Sequence, residues 1–163
     1  MYPSSFVAGT NATATSLLWA VFLMAKYPEI QRKVQAELDK VVGAGLYPKS
    51  ADRAYLPFTE ATLCEIQRFA SVLPLAMPHR VMEDAQLCGY DIPKDAVMLA
   101  NIWAVHHDPA IWSNPEIFDP LNFYDESTDP ARLKKTDSLI PFSLGTLIVL
   151  IVNIILKLNC LIY

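Results

Sequence analysis

Glu65 and Arg68 stand three residues apart in a run of helix formers, so their side chains stack on one face and can pair. Alone, such a pair is a surface ion bridge worth on the order of a few tenths of a kcal/mol. Asn11-Ala12-Thr13 places an amide and a hydroxyl in a stretch of small residues. It is formally a glycosylation sequon, but a buried helix would keep it from the transferase. His106-His107-Asp108 invites a metal reading. Adjacent histidines point in different directions on a helix or a strand, and no third ligand is suitably spaced, so packing is the expectation. Cys64, Cys88 and Cys160 are odd in number and widely spaced, which writes neither a disulfide framework nor a C-x-x-C zinc site. A reducing compartment follows as the default.

These groups must be positioned by local elements. Residues 4–26 are apolar and small all round, which suits a core helix. No Lys or Arg precedes Leu17–Ala25, so a buried helix is favoured over a signal peptide. Pro28 suits a first helical turn, Glu29 to Val42 continues it, and Gly43 stops it. Ile30, Val34, Leu38 and Val41 form its apolar stripe. Gly43 to Ala54 reads as loop. A third helix starts at Leu56-Pro57 and runs to about Ala70, with Leu63, Ile66 and Phe69 on one face. Leu75–Met82 reads as a bent or edge strand because of Pro78. Ala85–Cys88 and Tyr90–Ile92 flank Gly89 as a hairpin, and Val97–Asn101 is a further strand. Helical turns are predicted at Ile102–His106 and Pro109–Ile111 within a Pro-broken stretch over 102–137. Trp19, Trp103 and Trp112 are expected in a core or interface, and Lys134-Lys135 in a solvated loop.

The 163 residues fit one domain. A hydrophobic content of 53% predicts a sizeable core, and a net charge of −4 argues against nucleic-acid binding through bulk positive charge. Residues 1–25 carry no charged side chain, and residues 138–163 carry Lys157 alone. Both ends therefore look built for burial, as in a piece of a larger fold. Thr146–Leu156 would span about 16 Å as a helix, and the 18 residues 146–163 about 27 Å, against roughly 30 Å of hydrocarbon. The segment is a marginal transmembrane candidate and also has the profile of an aggregation-prone strand.

The order of motifs goes further. Asp52-Arg53-Ala54-x-Leu56-Pro57-Phe58-x-Glu60-Ala61-Thr62-x-x-Glu65-x-x-Arg68 precedes Pro78-His79-Arg80 and Gly89-Tyr90-Asp91-Ile92-Pro93-Lys94. Pro115-Glu116-Ile117-Phe118-Asp119-Pro120-Leu121-Asn122-Phe123 and Pro141-Phe142-Ser143-Leu144-Gly145 follow. This series resembles the cytochrome P450 family of haem-thiolate monooxygenases, in the animal microsomal type that includes steroid hydroxylases and drug and fatty-acid oxidisers. The resemblance runs from about Phe6 to Gly145 and corresponds to the later third of a family member. It implies a mainly α fold with small β-sheets: the late part of the long central helix, two following helices, short strands and a meander. Residues 1–145 would be a partial domain of this kind, and 146–163 an unrelated apolar tail.

By resemblance, Ala8-Gly9-Thr10-Asn11-Ala12-Thr13 matches the oxygen-activating groove, where the family has an acid and a hydroxyl at the places of Asn11 and Ala12. Asn11 cannot shuttle a proton as a carboxylate does, and Thr13 lies about 100° round the helix. Glu65 and Arg68 match the lock between helix and meander, whose third member, normally Arg, is Asn122; an amide cannot neutralise Glu65, which implies a weaker lock. His79, with Arg80 beside it, falls where a haem propionate is approached, and Phe142 and Gly145 open the haem loop. In register, Leu147 replaces its Arg, Val149 its Cys and Ile151 its last Gly. A thiolate supplies the electron push that splits O–O, and valine has no lone pair to give. Neither Cys64, Cys88 nor Cys160 has the helix start or positive neighbours that favour a substitute thiolate, so no metal ligand is assigned.

The resemblance thus implies haem as cofactor, an NADPH-dependent reductase and a small apolar substrate as partners, and the cytosolic face of the endoplasmic reticulum membrane. The family reaction would be absent from this chain by itself. The alternative is a non-catalytic product acting by partner or membrane contact, the latter through 146–163. The abrupt departure after Gly145 is what read-through of unspliced sequence or an alternative end would cause, and the front half of the family fold, with its membrane anchor, has no counterpart. Exposed apolar ends predict self-association.

Overall fold

Proline sets the start of each long helix. In the computed structural model, which describes residues 3–43, 45–128, 132–134 and 136–143, α1 covers Pro3–Lys26, α2 Pro28–Val41 and α3 Pro57–Ala70. A first-turn Pro lacks only an N–H that the helix could not have used. Helix α2 closes with the Val42 N–H on Leu38 O, and Gly43 at φ 104° turns the chain away. Helix α3 starts at Leu56, which has no side chain able to cap. Its orphan donors are met from α2 instead: Phe58 N–H and Thr59 N–H donate to the two Glu37 oxygens at 3.0 and 2.7 Å, and Thr59 Oγ1 adds a third bond at 2.6 Å.

The remaining elements are short. Strand β1 (His79–Arg80) pairs antiparallel with β4 (Val97–Met98), setting His79 opposite Met98. The hairpin β2 (Ala85–Leu87) and β3 (Tyr90–Ile92) turns through Cys88 and Gly89, both at positive φ. Helix α4 is Ile102–His106, and its first turn is capped by Asn101, which accepts from Ala104 N–H at 3.0 Å. The third pair is β5 (Tyr124–Asp125) with β6 (Arg132–Leu133). The architecture is mainly helical with small antiparallel sheets, as the sequence predicts.

Differences from the sequence reading lie in the short pieces. Within 75–82 only His79–Arg80 is strand, because Pro78 has no N–H for a ladder. Val97–Met98 is likewise shorter than Val97–Asn101, since Asn101 is spent on capping α4. The Gly43 to Ala54 loop ends in a 3-10 turn, Asp52–Tyr55, and a second 3-10 turn, Pro120–Asn122, sits in the meander. Residues 109–111 form a hydrogen-bonded turn on Asp108 rather than a helix. Trp103 is half exposed and stacks on His107, whereas Trp112 is buried.

Helix α3 lies at the centre, against α1, α2 and the meander. One cluster joins Ala20, Leu23 and Met24 of α1 to Leu63, Ile66 and Phe118, with Trp19, Tyr27, Ile30 and Phe69 packed on it. A second joins Ala61 to Trp112 and Phe123. Val34 is the buried member of the α2 stripe. The opposite face of α1 shows Leu18, Val21 and Phe22, each more than half exposed. Among the described residues no helix is long and apolar enough to cross a membrane.

Candidate functional site

Burial converts the Glu65–Arg68 pair from a surface bridge into an organising centre, for both side chains are 0% exposed. Arg68 Nε donates to Glu65 Oε2 and one terminal nitrogen to Oε1, each at 2.8 Å. The other guanidinium hydrogens reach three carbonyls: His106 O at 2.7 Å, Pro115 O at 3.0 Å and Ile117 O at 3.2 Å. All five donors of the fork are thereby used. Glu65 also accepts Asp119 N–H at 2.9 Å and Asn122 Nδ2, which sits 3.3 Å from each oxygen. One residue of α3 thus holds α4, and both hold the meander, through bonds that no shorter cation could reproduce. The indole of Trp112 covers the guanidinium, with the ring centre 5.2 Å from Cζ.

The structure brings Glu65, Arg68 and Asn122 together. The 3.3 Å bonds of Asn122 are long beside those of Arg68, and the balancing charge comes from Arg68 alone within this trio. Phe118 and Phe123, flanking Asn122 in the meander, fill the two core clusters, which fixes the register of the whole Pro115–Phe123 stretch.

The groove residues are placed differently from one another. Asn11 is exposed. Thr13 Oγ1 donates to Gly9 O at 2.6 Å and Ser16 Oγ to Ala12 O at 2.8 Å, so both hydroxyls are spent on their own helix. A Cβ added at Gly9 would meet nothing within 4 Å. Ala12, Ser16 and Ala20 of α1 line a narrow apolar cleft whose other wall is Leu63, Ile66 and Ala70 of α3. Phe142 closes its end, so the groove motif and the start of the 141–145 motif share one cavity. His79 is exposed on β1, and Arg80 beside it forms an ion pair with Asp95 at 2.9 Å. These two do not join the cleft. Gly145, Val149, Cys160 and the rest of 146–163 lie outside the described residues.

The described sulfur donors do not fit a haem iron. Cys64 is turned into the core of α3, where burial first and then Glu60 push its thiol up to about 12, while Arg53 pulls the other way. A thiol so raised stays protonated near neutrality, which disfavours it as a thiolate ligand. Cys88 is exposed in the β2–β3 turn and does not line the cleft. Among the described residues no group of three or more His, Cys, Asp or Glu could hold a metal ion.

Two contributors escaped the sequence reading. Glu37 is one; a helix beginning Leu-Pro-Phe without a capping side chain signals that a remote acceptor is needed. The other is His106, assigned to packing. It is 0% exposed, its Nδ1 lies 2.9 Å from Ser71 Oγ, and its Nε2 accepts the Ile140 N–H at 3.0 Å. Burial, then Arg68 and His107, lower its pKa to about 4.

The cytochrome P450 family model matches residues 3–147. Human cytochrome P450 2U1 is 46% identical over 140 residues, which cover 86% of this chain and 25% of that protein. Human cytochrome P450 2J2 is 44% identical over 140 residues, 27% of its length. The steroid 17-alpha-hydroxylase/17,20 lyase of Rana dybowskii is 41% identical over the same span, again 27% of its length. The chain therefore spans about a quarter of the length of the curated relatives it matches.

Proposed function

This chain belongs to the cytochrome P450 family, and from that premise we propose that it is a stretch of a microsomal-type haem-thiolate monooxygenase that does not run the family reaction by itself. The family's haem, when bound, activates O₂ to insert one oxygen atom into an apolar molecule, with electrons from an NADPH-dependent reductase. What supports the reading is Val149 in register with the family's thiolate cysteine, together with a half-buried Cys64 whose thiol is pushed up to about 12 and a surface Cys88. In this reading residues 1–145 are the family segment and 146–163 an added apolar tail. Glu65, Arg68 and Asn122 hold the meander. Asn11, Ala12 and Thr13 are a degenerate oxygen-activating groove, in which Thr13 serves its own helix. Exposed His79 is the candidate for a haem propionate, with Arg80 shared with Asp95, and Phe142 leads to the haem loop at Gly145.

The substrate class is apolar: steroid, fatty acid or xenobiotic. Of the three relatives named above, the Rana dybowskii protein is named for a steroid reaction. The endoplasmic reticulum face and the reductase belong to the same family reading.

The test is the carbon monoxide difference spectrum of the purified 163-residue chain with added haem and dithionite. The expected result is no thiolate-type Soret band. A thiolate-type band would overturn the proposal. A second reading, a non-catalytic product acting by contact or self-association, is favoured by the apolar face of Leu18, Val21 and Phe22. Sedimentation of the full chain separates it: association that Val21→Glu with Phe22→Glu abolishes supports it, and a monomer at all concentrations refutes it.

A further inference from the structure

His106 sits between three segments that sequence alone keeps apart. Its own helix, α4, supplies the carbonyl that Arg68 grips. Its Nδ1 faces Ser71 Oγ at the left-handed end of α3. Its Nε2 faces the Ile140 amide, five residues before Gly145. Two independent constraints fix the proton. The Ser71 hydroxyl donates its single hydrogen to Arg68 O at 2.8 Å, so toward His106 its oxygen accepts, and Nδ1 carries the hydrogen. An amide N–H can only donate, so Nε2 must hold a lone pair. Both demand the neutral imidazole with hydrogen on Nδ1. The result is a relay running Ile140 N–H, His106, Ser71, Arg68 O, closed by the Arg68 guanidinium on His106 O.

We propose that His106 is a positioning residue, an uncharged clasp that holds the Ile140 backbone, and with it residues 139–143, against the end of α3 and the mouth of the α1–α3 cleft, and that its protonation opens the clasp. The inference rests on this chain's own contacts and stands whether or not the chain ever holds haem. The cleft is bounded by Phe142, two residues beyond the clasped amide, so releasing Ile140 unfastens that wall. Protonation would set a second donor against the Ile140 N–H. The charged and titratable neighbours do not relieve it: α3 presents Arg68, a cation, with Glu65 already committed to that cation, and α4 presents His107. The clasped segment, Ser138-Leu139-Ile140-Pro141-Phe142-Ser143, carries no ionisable side chain.

The test uses the full chain, ¹⁵N-labelled. At pH 7 the imidazole shifts should place hydrogen on Nδ1 and leave Nε2 bare. The Ile140 amide protection factor, taken relative to that of Ile66 in α3, should fall at least about tenfold between pH 7 and pH 3.5, the loss of one part-buried hydrogen bond. His106→Leu should show the same relative loss already at pH 7 and no further change on acidification. If that variant does not fold, the wild-type tautomer and pH series decide. Hydrogen on Nε2 at pH 7, or Ile140 protection that follows Ile66 throughout, overturns the proposal.

Discussion

Replacing Arg68 by Ala should remove a large share of the stability of the chain. The substitution leaves the Glu65 carboxylate buried without a cation, a change that costs about 3–5 kcal/mol in comparable buried pairs. It also strips His106 O, Pro115 O and Ile117 O of their donor, at roughly 1 kcal/mol each when no water reaches them. A loss of at least about 4 kcal/mol is expected, against a total that is typically about 5–15 kcal/mol for a domain. Arg68→Lys keeps the charge but offers three donors to five acceptors, and should lose roughly half as much. Urea unfolding read by Trp112, whose ring lies 5.2 Å from the guanidinium carbon, measures it in a background lacking Trp19 and Trp103. Glu65→Gln combined with Arg68→Met should cost less than Arg68→Ala alone, because no unpaired charge is left. An Arg68→Ala loss below about 1 kcal/mol, or a double variant worse than the single, would refute the reasoning.

Glu37→Ala should lose about 1–2 kcal/mol, since it uncaps α3 from outside that helix, and Glu37→Gln should recover part of it; urea midpoints give both values. Stability should fall in acid through His106. Its folded pKa of about 4 lies below the 6.5 of the unfolded chain, so its contribution is present above pH 6.5 and is lost as pH falls to 4. Thermal midpoints from pH 7 to pH 4 read this slope, which should flatten in a folded His106→Leu variant. Iodoacetamide at pH 8 should label Cys88 and spare Cys64, as peptide mapping would show; equal labelling contradicts the raised thiol.

The long elements were legible because their signals are local. Pro28 and Pro57 open α2 and α3 where the sequence places them, and α1 ends at Lys26 because Tyr27, at φ −122° and ψ 72°, precedes Pro28, which keeps the residue before it out of the helical region. The trio of Glu65, Arg68 and Asn122 was legible through motif order rather than spacing, since 57 residues separate Glu65 from Asn122. What the sequence hid was long-range polar satisfaction. Glu37 capping a helix 21 residues on, and His106 receiving an amide 34 residues on, depend on how α3 is surrounded, and no period or turn signal encodes that. The short strands were overestimated because β-propensity does not report where a ladder partner ends. Met98 and Val97 find His79 and Arg80 opposite them, and beyond them Ala100 O accepts the Ile102 N–H and Asn101 caps α4.

Ser71 ends α3 at φ 38° and ψ 55°, a backbone shape that glycine adopts most cheaply. Engineers commonly put glycine at such helix ends to relieve strain. Here that exchange would delete the one hydroxyl linking two remote parts of the molecule, so comfort for the main chain would be gained by cutting a communication line. Asparagine, which tolerates the same shape and offers an amide oxygen to the imidazole, is the replacement that serves both demands.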